Sequence, residues 1–265
     1  MKKFFLFYFL IIFFSISCHD KATNTIAPTE KTSEASLKNA IVKYPDSLGV
    51  REDLIEFYRD NGNYDSAIAI TDQAIQKDSN VAELWDIKAT LHFENEDTLA
   101  AIKAFETAIN IYPLPEYLIS LGTLYAQTKN PKALMFADAL IVGDRAKAMR
   151  EAIFLKGLYY NYTNNPKKAI QLFDSCLHMD YTYMFAYREK AIALYDLGKY
   201  EEAVQVLTRA VTVQNNFDEG YYWLGRCYEK MNKKDEAIDS YQKALLYDKD
   251  FVEAKEALSR LGNAN

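Results

Sequence analysis

Residues 218–251 read DEGYYWLGRCYEKMNKKDEAIDSYQKALLYDKDF, and this stretch decides the fold. Small residues stand at Gly225, Ala237 and Ala244, and large aromatic residues lie between them. Small residues let two helices approach closely, and aromatic rings fill the spaces that remain. The stretch therefore predicts a hairpin of two antiparallel helices.

The same pattern recurs along the chain with a nearly constant period. Alanines that open a short helical motif follow one another at spacings of 34, 32, 36, 34 and 34 residues, and they are Ala67, Ala101, Ala133, Ala169, Ala203 and Ala237. A helical bundle has no reason to keep this phase over five steps, whereas stacked hairpins bury one continuous core. The period therefore predicts a repeat array.

This pattern resembles the tetratricopeptide repeat, in which positions 4, 8, 11, 20, 24 and 27 alternate between large and small residues. In the sixth copy these places hold Tyr221, Gly225, Tyr228, Ala237, Tyr241 and Ala244. In the second they hold Trp85, Ala89, His92, Ala101, Phe105 and Ala108, and in the fourth Ile153, Gly157, Tyr160, Ala169, Phe173 and Cys176. The third copy departs most, because its turn is one residue short. The resemblance implies an all-α, right-handed superhelical α-solenoid.

The resemblance covers six expected copies within residues 48–251. They are placed at 48–81, 82–114, 115–149, 150–183, 184–217 and 218–251. A half-repeat helix is expected within 33–47, and a capping helix with a short tail over 252–265. Tight turns between paired helices are predicted at Gly62 and at Gly198, because Gly or Asn tolerates the positive φ that ends the first helix.

The N-terminus predicts export and a lipid anchor. Two lysines precede a run of apolar residues over 4–14, which is typical of a signal peptide at 1–17. The run is shorter than the roughly 20 residues of a membrane-spanning helix. Cys18 follows small residues and resembles the lipidated cysteine of bacterial lipoproteins, although Ser15 stands where that family prefers Leu. Ordinary cleavage, with Cys18 incidental, is the alternative. Residues 18–32 are then a flexible tether.

Composition and motifs argue against nucleic-acid binding and against catalysis. The net charge of −6 offers no basic patch for nucleic acid. The sequence contains no phosphate-binding loop, no GxSxG, no HExxH and no dinucleotide motif. Cys176 and Cys227 are expected to be unpaired, and Cys176 and His92 to be packed residues. We expect no enzyme, cofactor, metal or small-molecule substrate.

The resemblance also implies a partner surface on the concave side of the first helices. Carried over by register, it consists of Phe154, Leu158, Asn161, Tyr162, Phe185, Arg188, Ile192, Tyr195, Tyr222, Arg226 and Glu229. The first two copies offer carboxylates instead: Glu52, Glu56, Asp60, Glu83, Asp86 and Glu94. These are either an acidic wall for a basic partner or a solvated helix face. The Lys and Asn clamp that some relatives use for C-terminal carboxylates is absent.

These expectations combine into a scaffold lipidated at Cys18, exported to a bacterial envelope and facing the periplasm, with the outer membrane favoured over the inner. It would bind a protein or peptide and assist assembly of a membrane or secretion complex, as is known for pilotin-type lipoproteins of similar layout. Two alternatives are a self-assembling structural solenoid and a cryptic hydrolase.

Overall fold

A computed structural model describes residues 33–143 and 145–262, which fold into helices with no strand among them. The first six helices are α1 (Glu34–Lys43), α2 (Leu48–Asp60), α3 (Tyr64–Lys77), α4 (Ala82–Glu94), α5 (Thr98–Ile111) and α6 (Pro115–Gln127). The others are α7 (Lys132–Gly143), α8 (Arg145–Tyr162), α9 (Pro166–Met179), α10 (Met184–Asp196), α11 (Tyr200–Val213), α12 (Asp218–Lys230), α13 (Lys234–Tyr247) and α14 (Val252–Gly262). The predicted all-α helical repeat is confirmed.

The predicted signal peptide at 1–17 and the tether at 18–32, with Cys18, lie outside the described residues. Across the helices of 33–143 and 145–262, none is both long and apolar enough to cross a membrane. The N-terminal predictions therefore stay predictions.

Polar caps set the start of several helices. Ser33, Ser47, Asn63 and Asp97 each accept a hydrogen bond from a backbone N–H in the first turn of the helix that follows. Such caps satisfy donors that have no partner within the helix. α9 instead begins with Pro166, whose fixed φ suits the first helical position.

The chain divides into two compact units, with the division between Leu121 and Gly122 inside α6. In the first unit, α1 packs on α2, α2 on α3, α3 on α4 and α4 on α5. Its core includes Leu54, Ala67 and Leu91, which are almost fully buried.

In the second unit each helix from α7 to α14 packs on the next one along the chain. The first helices of successive repeats also contact one another, because α10 touches both α8 and α12. Within 122–262, the second helices α9, α11 and α13 make no comparably extensive contacts with each other. The first helices are therefore drawn together on one side of this unit.

The periodic alanines are the close-contact points of the repeat. Ala67, Ala101, Ala133, Ala169, Ala203 and Ala237 are all 0% exposed. A methyl side chain leaves room for the backbone of the partner helix, and the large side chains beside it fill the remaining volume. Phe105, Phe173, Leu207 and Tyr241 do so, and each of them is also 0% exposed.

Each hairpin turn contains one residue in the left-handed region. Gly62 and Gly198 have φ of 69° and 74°, as their turns predicted. The equivalent residues of the other four turns are Glu96, Lys129, Asn164 and Asn232, with φ between 57° and 63°. The left-handed turn thus belongs to the repeat geometry, which holds it even where a side chain makes it unfavourable.

α8 differs from the expected copy, because it begins at Arg145 rather than near residue 150. Residues 145–152 read RAKAMREA, which are all good helix formers. This segment contains neither proline nor glycine, so α8 begins at least one turn before the position that the repeat register predicts.

We expect Gly225→Ala to destabilise the second unit. A Cβ at this position would lie 2.6 Å from Cε1 of the Tyr241 ring, which is fully buried. Alanine normally stabilises a helix by about 1 kcal/mol relative to glycine, but overpacking costs about 1–3 kcal/mol. Urea unfolding should show a net decrease in the free energy of unfolding. In Gly49→Ala, the matched control in α2, the new Cβ meets no atom within 4 Å, and we expect a gain. Equal effects would contradict this explanation.

Candidate functional site

The eleven residues predicted to bind a partner all lie in the second unit, on α8, α10 and α12. We call the side of these helices that carries them the first-helix surface. The register places them at equivalent turns of neighbouring helices, so the surface crosses three successive repeats. The role of these residues in partner binding stays a prediction.

Three of the eleven side chains are buried. Phe154, Leu158 and Arg188 are 4%, 2% and 2% exposed. They support the surface from beneath and leave little area for a partner to touch. The Phe154 ring is packed among other aromatic rings, and the Arg188 guanidinium is enclosed by carboxylates of α10 and α12. Their burial corrects the expectation that these three side chains are accessible in the groove.

An aromatic cluster joins α8 to α10. The Phe154 ring lies 5.2 Å from Tyr183, 5.7 Å from Phe173 and 6.4 Å from Phe185, between ring centroids. Edge-to-face and tilted rings at these distances attract each other beyond the effect of area burial. The cluster therefore fixes the spacing of two neighbouring first helices.

The remaining residues keep part of their surface accessible. Asn161, Phe185, Ile192, Tyr195, Tyr222, Arg226 and Glu229 are half-buried, and Tyr162 is exposed. Half-buried tyrosine and arginine side chains are rigid and amphipathic, which suits them to anchor a partner.

A buried ionic network links α10 to α12. Both Glu219 carboxylate oxygens accept hydrogen bonds from Nη1 of Arg188 at 2.7 Å, and Nε of Arg188 donates to Glu189 at 3.1 Å. Burial raises the pKa of Glu189, and Arg188 opposes that rise. The network therefore stabilises the stacking of two repeats just below the first-helix surface.

A second cluster surrounds Arg226 on α12. Its Cζ lies 4.7 Å from the Trp223 ring centroid, 5.1 Å from that of Tyr195 and 5.9 Å from that of Tyr222. Nη2 of Arg226 donates to Tyr195 Oη at 3.4 Å, which is a long hydrogen bond. The guanidinium is thus held by aromatic rings on two successive first helices.

Glu229 is engaged within the chain. It accepts hydrogen bonds from Nη2 of Arg260 at 2.6 and 2.9 Å and from Tyr241 Oη at 2.5 Å. These bonds connect α12 to α13 and to the last helix, α14. Glu229 therefore has a structural role in addition to the partner-binding role that the sequence predicted.

The six carboxylates of the first unit have unlike surroundings. Glu56, Asp60 and Glu83 are exposed, whereas Glu94 is held by Arg59 at 2.5–3.0 Å. Burial, with the nearby Glu83 and Asp53, raises the pKa of Glu52. Burial, with Glu83 and Glu116, raises the pKa of Asp86 to about 7. Glu52, Glu83 and Asp86 thus form a region of negative potential on α2 and α4.

We expect Asp86→Asn to stabilise the first unit above neutral pH. An unfolded Asp has a pKa near 3.9, so between about pH 4 and 7 the folded chain binds more protons than the unfolded chain. Stability therefore falls as pH rises through this window, and asparagine removes the loss. We expect a gain of about 1–3 kcal/mol at pH 8 that shrinks toward pH 4.

Trp85 lies next to Asp86 and reports on this unit, so urea unfolding should follow its fluorescence in a Trp223→Phe background. Glu56→Gln on α2, which neutralises an exposed carboxylate, is the control and should change stability little at either pH. A gain for Asp86→Asn that is independent of pH would show that the effect is not proton-linked.

The cysteines and histidines show no reactive arrangement in the described part of the chain. Cys176 and Cys227 are free and buried, and burial raises the pKa of each thiol to about 12. His92 is half-buried, and burial lowers its pKa. Over 33–143 and 145–262, no group of three His, Cys, Asp or Glu side chains is placed to hold a metal ion.

Sequence reasoning missed several residues that shape the surface. Tyr183 lies in the loop before α10, Trp223 is buried beneath Arg226, and Arg260 comes from the capping helix. Trp223 directly follows the predicted residue Tyr222. Arg260 lies on α14, two helices after the last helix that carries predicted residues. One sequence signal could have indicated Trp223. It is an aromatic residue that lies three positions before Arg226, a cation expected on the surface.

Three family models match parts of the chain. One described as TPR repeat matches residues 192–232, and two described as Tetratricopeptide repeat match 219–251 and 82–113. Among curated proteins, Superkiller complex protein 3 of Homo sapiens is 25% identical over 203 residues, or 73% of this chain. A DnaJ homolog subfamily C member 7 homolog of Dictyostelium discoideum is 27% identical over 150 residues, or 51% of this chain. The matches span only 13% and 28% of these relatives' lengths.

Solved structures show the same fold at low identity. A tetratricopeptide repeat protein from Parabacteroides merdae ATCC 43184 has a TM-score of 0.73 at 20% identity, with 87% of this chain and 91% of that chain covered. Yeast Tom70 has a TM-score of 0.65 at 17% identity, with 86% and 49% covered. PilW, a type IV pilus biogenesis factor, has a TM-score of 0.58 at 15% identity, with 79% and 97% covered. The chain therefore contains tetratricopeptide repeats within an all-α helical repeat fold.

Proposed function

We propose that this chain is an exported, lipid-anchored scaffold that binds protein partners through its first-helix surface and assists assembly of a membrane or secretion complex. The observation that carries the binding role is the set of half-buried anchors on successive repeats, Tyr195, Tyr222 and Arg226. Tyrosine and arginine are enriched where protein interfaces draw most of their energy.

The repeat family supports the general role of an interaction scaffold, since stacked helical hairpins present extended surfaces to other proteins. The envelope location rests on the N-terminal sequence, in which Cys18 follows an apolar run and a small residue. A second fatty chain makes such an anchor stable, because each buried CH₂ contributes about 0.8 kcal/mol.

Site-specific photocrosslinking in cells tests the binding role. A photoreactive amino acid at Tyr195 or Ile192 on the first-helix surface should give a discrete adduct with one partner protein. The same probe at Leu246, an exposed position on the second helix α13, is the control. Equal adducts from all three positions, or none from the first two, would reject the first-helix surface as the binding site.

Labelling with an alkyne fatty acid tests the anchor. Wild type and Cys176→Ala should both incorporate the label and sediment with membranes. Cys18→Ser should lose the label and be released. A labelled Cys18→Ser protein, or an unlabelled wild type, would reject lipidation at Cys18. The scaffold role would then depend on the crosslinking result alone.

A further inference from the structure

Arg226 differs from the other arginines on or beside the first-helix surface in what its guanidinium contacts. Those arginines all contact carboxylates of the chain: Arg150 contacts Glu151 and Asp180, Arg188 contacts Glu189 and Glu219, and Arg260 contacts Glu229. Among the residues that the structure describes, no carboxylate oxygen lies within 4.0 Å of a nitrogen of Arg226. Its charge is therefore half-buried and has no ion-pair partner within residues 33–143 and 145–262.

The aromatic residues around Arg226 orient its guanidinium but do not provide acceptors for all of its N–H donors. A guanidinium carries five N–H donors in one plane, and stacking on rings leaves the edge of that plane available. Among the described residues, the acceptor hydrogen-bonded to the Arg226 guanidinium is the Tyr195 hydroxyl, at 3.4 Å from Nη2. Neutral phenols are weaker partners than a carboxylate, which can accept two parallel N–H bonds from one arginine.

The charges around Arg226 leave this position open to an acid from outside. Asp196, at the end of α10, is the carboxylate that Arg226 influences: burial raises the pKa of Asp196 and Arg226 opposes the rise. Asp196 nevertheless makes no ion pair with Arg226. Glu229 accepts hydrogen bonds from Arg260 and Tyr241. Burial raises the pKa of Tyr222, and Glu253 on α14 adds to this rise.

We propose that Arg226 binds the side-chain carboxylate of an aspartate or glutamate in an extended segment of the partner protein. Apolar residues next to that acid would pack on the Tyr195 and Tyr222 rings. The inference rests on the proposed binding role of the first-helix surface and adds the chemistry that the partner must carry. Since a planar guanidinium fixes both the charge and the direction of the bond, the site selects an acid at one position of the segment.

A random library of C-terminally amidated decapeptides, selected on the wild-type protein, supplies the probe. The protein has a net charge of −6, which repels acidic peptides in general, so enrichment of Asp or Glu at one position would be specific. Binding of a selected peptide should be followed by the fluorescence of Trp223, which lies beneath Arg226, in a Trp85→Phe background.

The variants separate charge from structure. Changing the selected acid of the peptide to its amide should weaken binding at least tenfold, and Arg226→Gln should weaken binding of the acidic peptide to the same extent. Arg226→Gln should bind the amide peptide as the wild type does. Asp196→Asn should bind the acidic peptide more tightly, because it removes a competing carboxylate. Arg209→Gln, an exposed arginine on α11, is the matched control and should change nothing.

Circular dichroism and thermal unfolding should show that Arg226→Gln is folded, and Arg226→Lys provides a second variant that keeps the charge but loses the planar fork. Selected peptides without a preferred acid, or an acidic peptide that Arg226→Gln binds normally, would overturn the proposal. So would Arg226-dependent binding of a separately synthesised decapeptide that has a free C-terminus but contains no Asp or Glu. If Tyr195 still crosslinks to a partner in cells in any of these cases, the scaffold role stands and only the acid-binding role falls.

Discussion

Arg188→Met is expected to destabilise the second unit by about 3–5 kcal/mol at pH 8, because it leaves the buried Glu189 and the half-buried Glu219 without their cation. Arg188 is 2% exposed and Glu189 is 6% exposed, so water cannot replace the lost hydrogen bonds. The loss should shrink toward pH 5. Without Arg188 the folded pKa of Glu189 rises further above the unfolded value of about 4.3, so stability decreases as pH rises through that interval.

Urea unfolding, followed by Trp223 fluorescence at pH 5 and pH 8, measures both effects. Arg209→Met removes an exposed arginine from α11 and should change stability by less than about 0.5 kcal/mol. The triple variant Arg188→Met, Glu189→Gln, Glu219→Gln should recover part of the loss, because no charge is then left buried. An equal loss at both pH values would show that Arg188 acts through packing alone.

Phe173→Ala should cost about 3–5 kcal/mol, which is the range for deleting a fully buried phenylalanine. The Phe173 ring is 0% exposed, fills the space above Gly157 and lies 5.7 Å from the Phe154 ring. Its loss opens a cavity between α8 and α9 and removes support from the aromatic cluster beneath the first-helix surface.

Two comparisons separate cavity formation from general sensitivity to substitution. Tyr181→Ala removes a ring that is 63% exposed, and we expect a change within about 0.5 kcal/mol. Phe173→Leu places in α9 the residue that Leu207 supplies at the equivalent position of α11, so its cost should stay below about 1.5 kcal/mol. Comparable losses for Phe173→Ala and Phe173→Leu would mean that the ring volume is not what the repeat requires.

These results would connect stability to binding, because Arg188 and the Phe154 cluster link the helices that carry the residues we expect to meet a partner. Arg188 links α10 to α12, and the Phe154 cluster links α8 to α10. Each contact sets the spacing between the first helices of neighbouring repeats. A variant that loosens either contact should therefore also reduce crosslinking from Tyr195, even where the exposed anchors are unchanged.

The repeat itself could be predicted from local sequence. An alanine every 34 residues marks where two helices touch, and the glycines at 62 and 198 mark turns that require a positive φ. Both signals depend on single residues whose size or backbone freedom is decisive, so they remain visible without the rest of the fold. Glu96 and Lys129 adopt the same left-handed turn with no such signal, because the helices on either side impose it.

The structure of the proposed binding surface could be predicted only in part. Register identified which turns of α8, α10 and α12 lie on one side. It could not tell that Phe154, Leu158 and Arg188 are covered by neighbours, because one residue rotates a helix position by about 100° and long side chains reach across repeats. Register also could not show that Arg188 forms ion pairs with two carboxylates, whereas Arg226 forms none in the part of the chain that the structure describes.

The amino-acid sequence by itself determined the helical repeat, its period and the buried alanines, because these follow from residue size and helical spacing within each hairpin. Tertiary structure alone decided which surface charges are neutralised and why Asp86 holds its proton to near neutral pH. Those outcomes depend on distances between side chains from different repeats, which only the stacking of the helices sets.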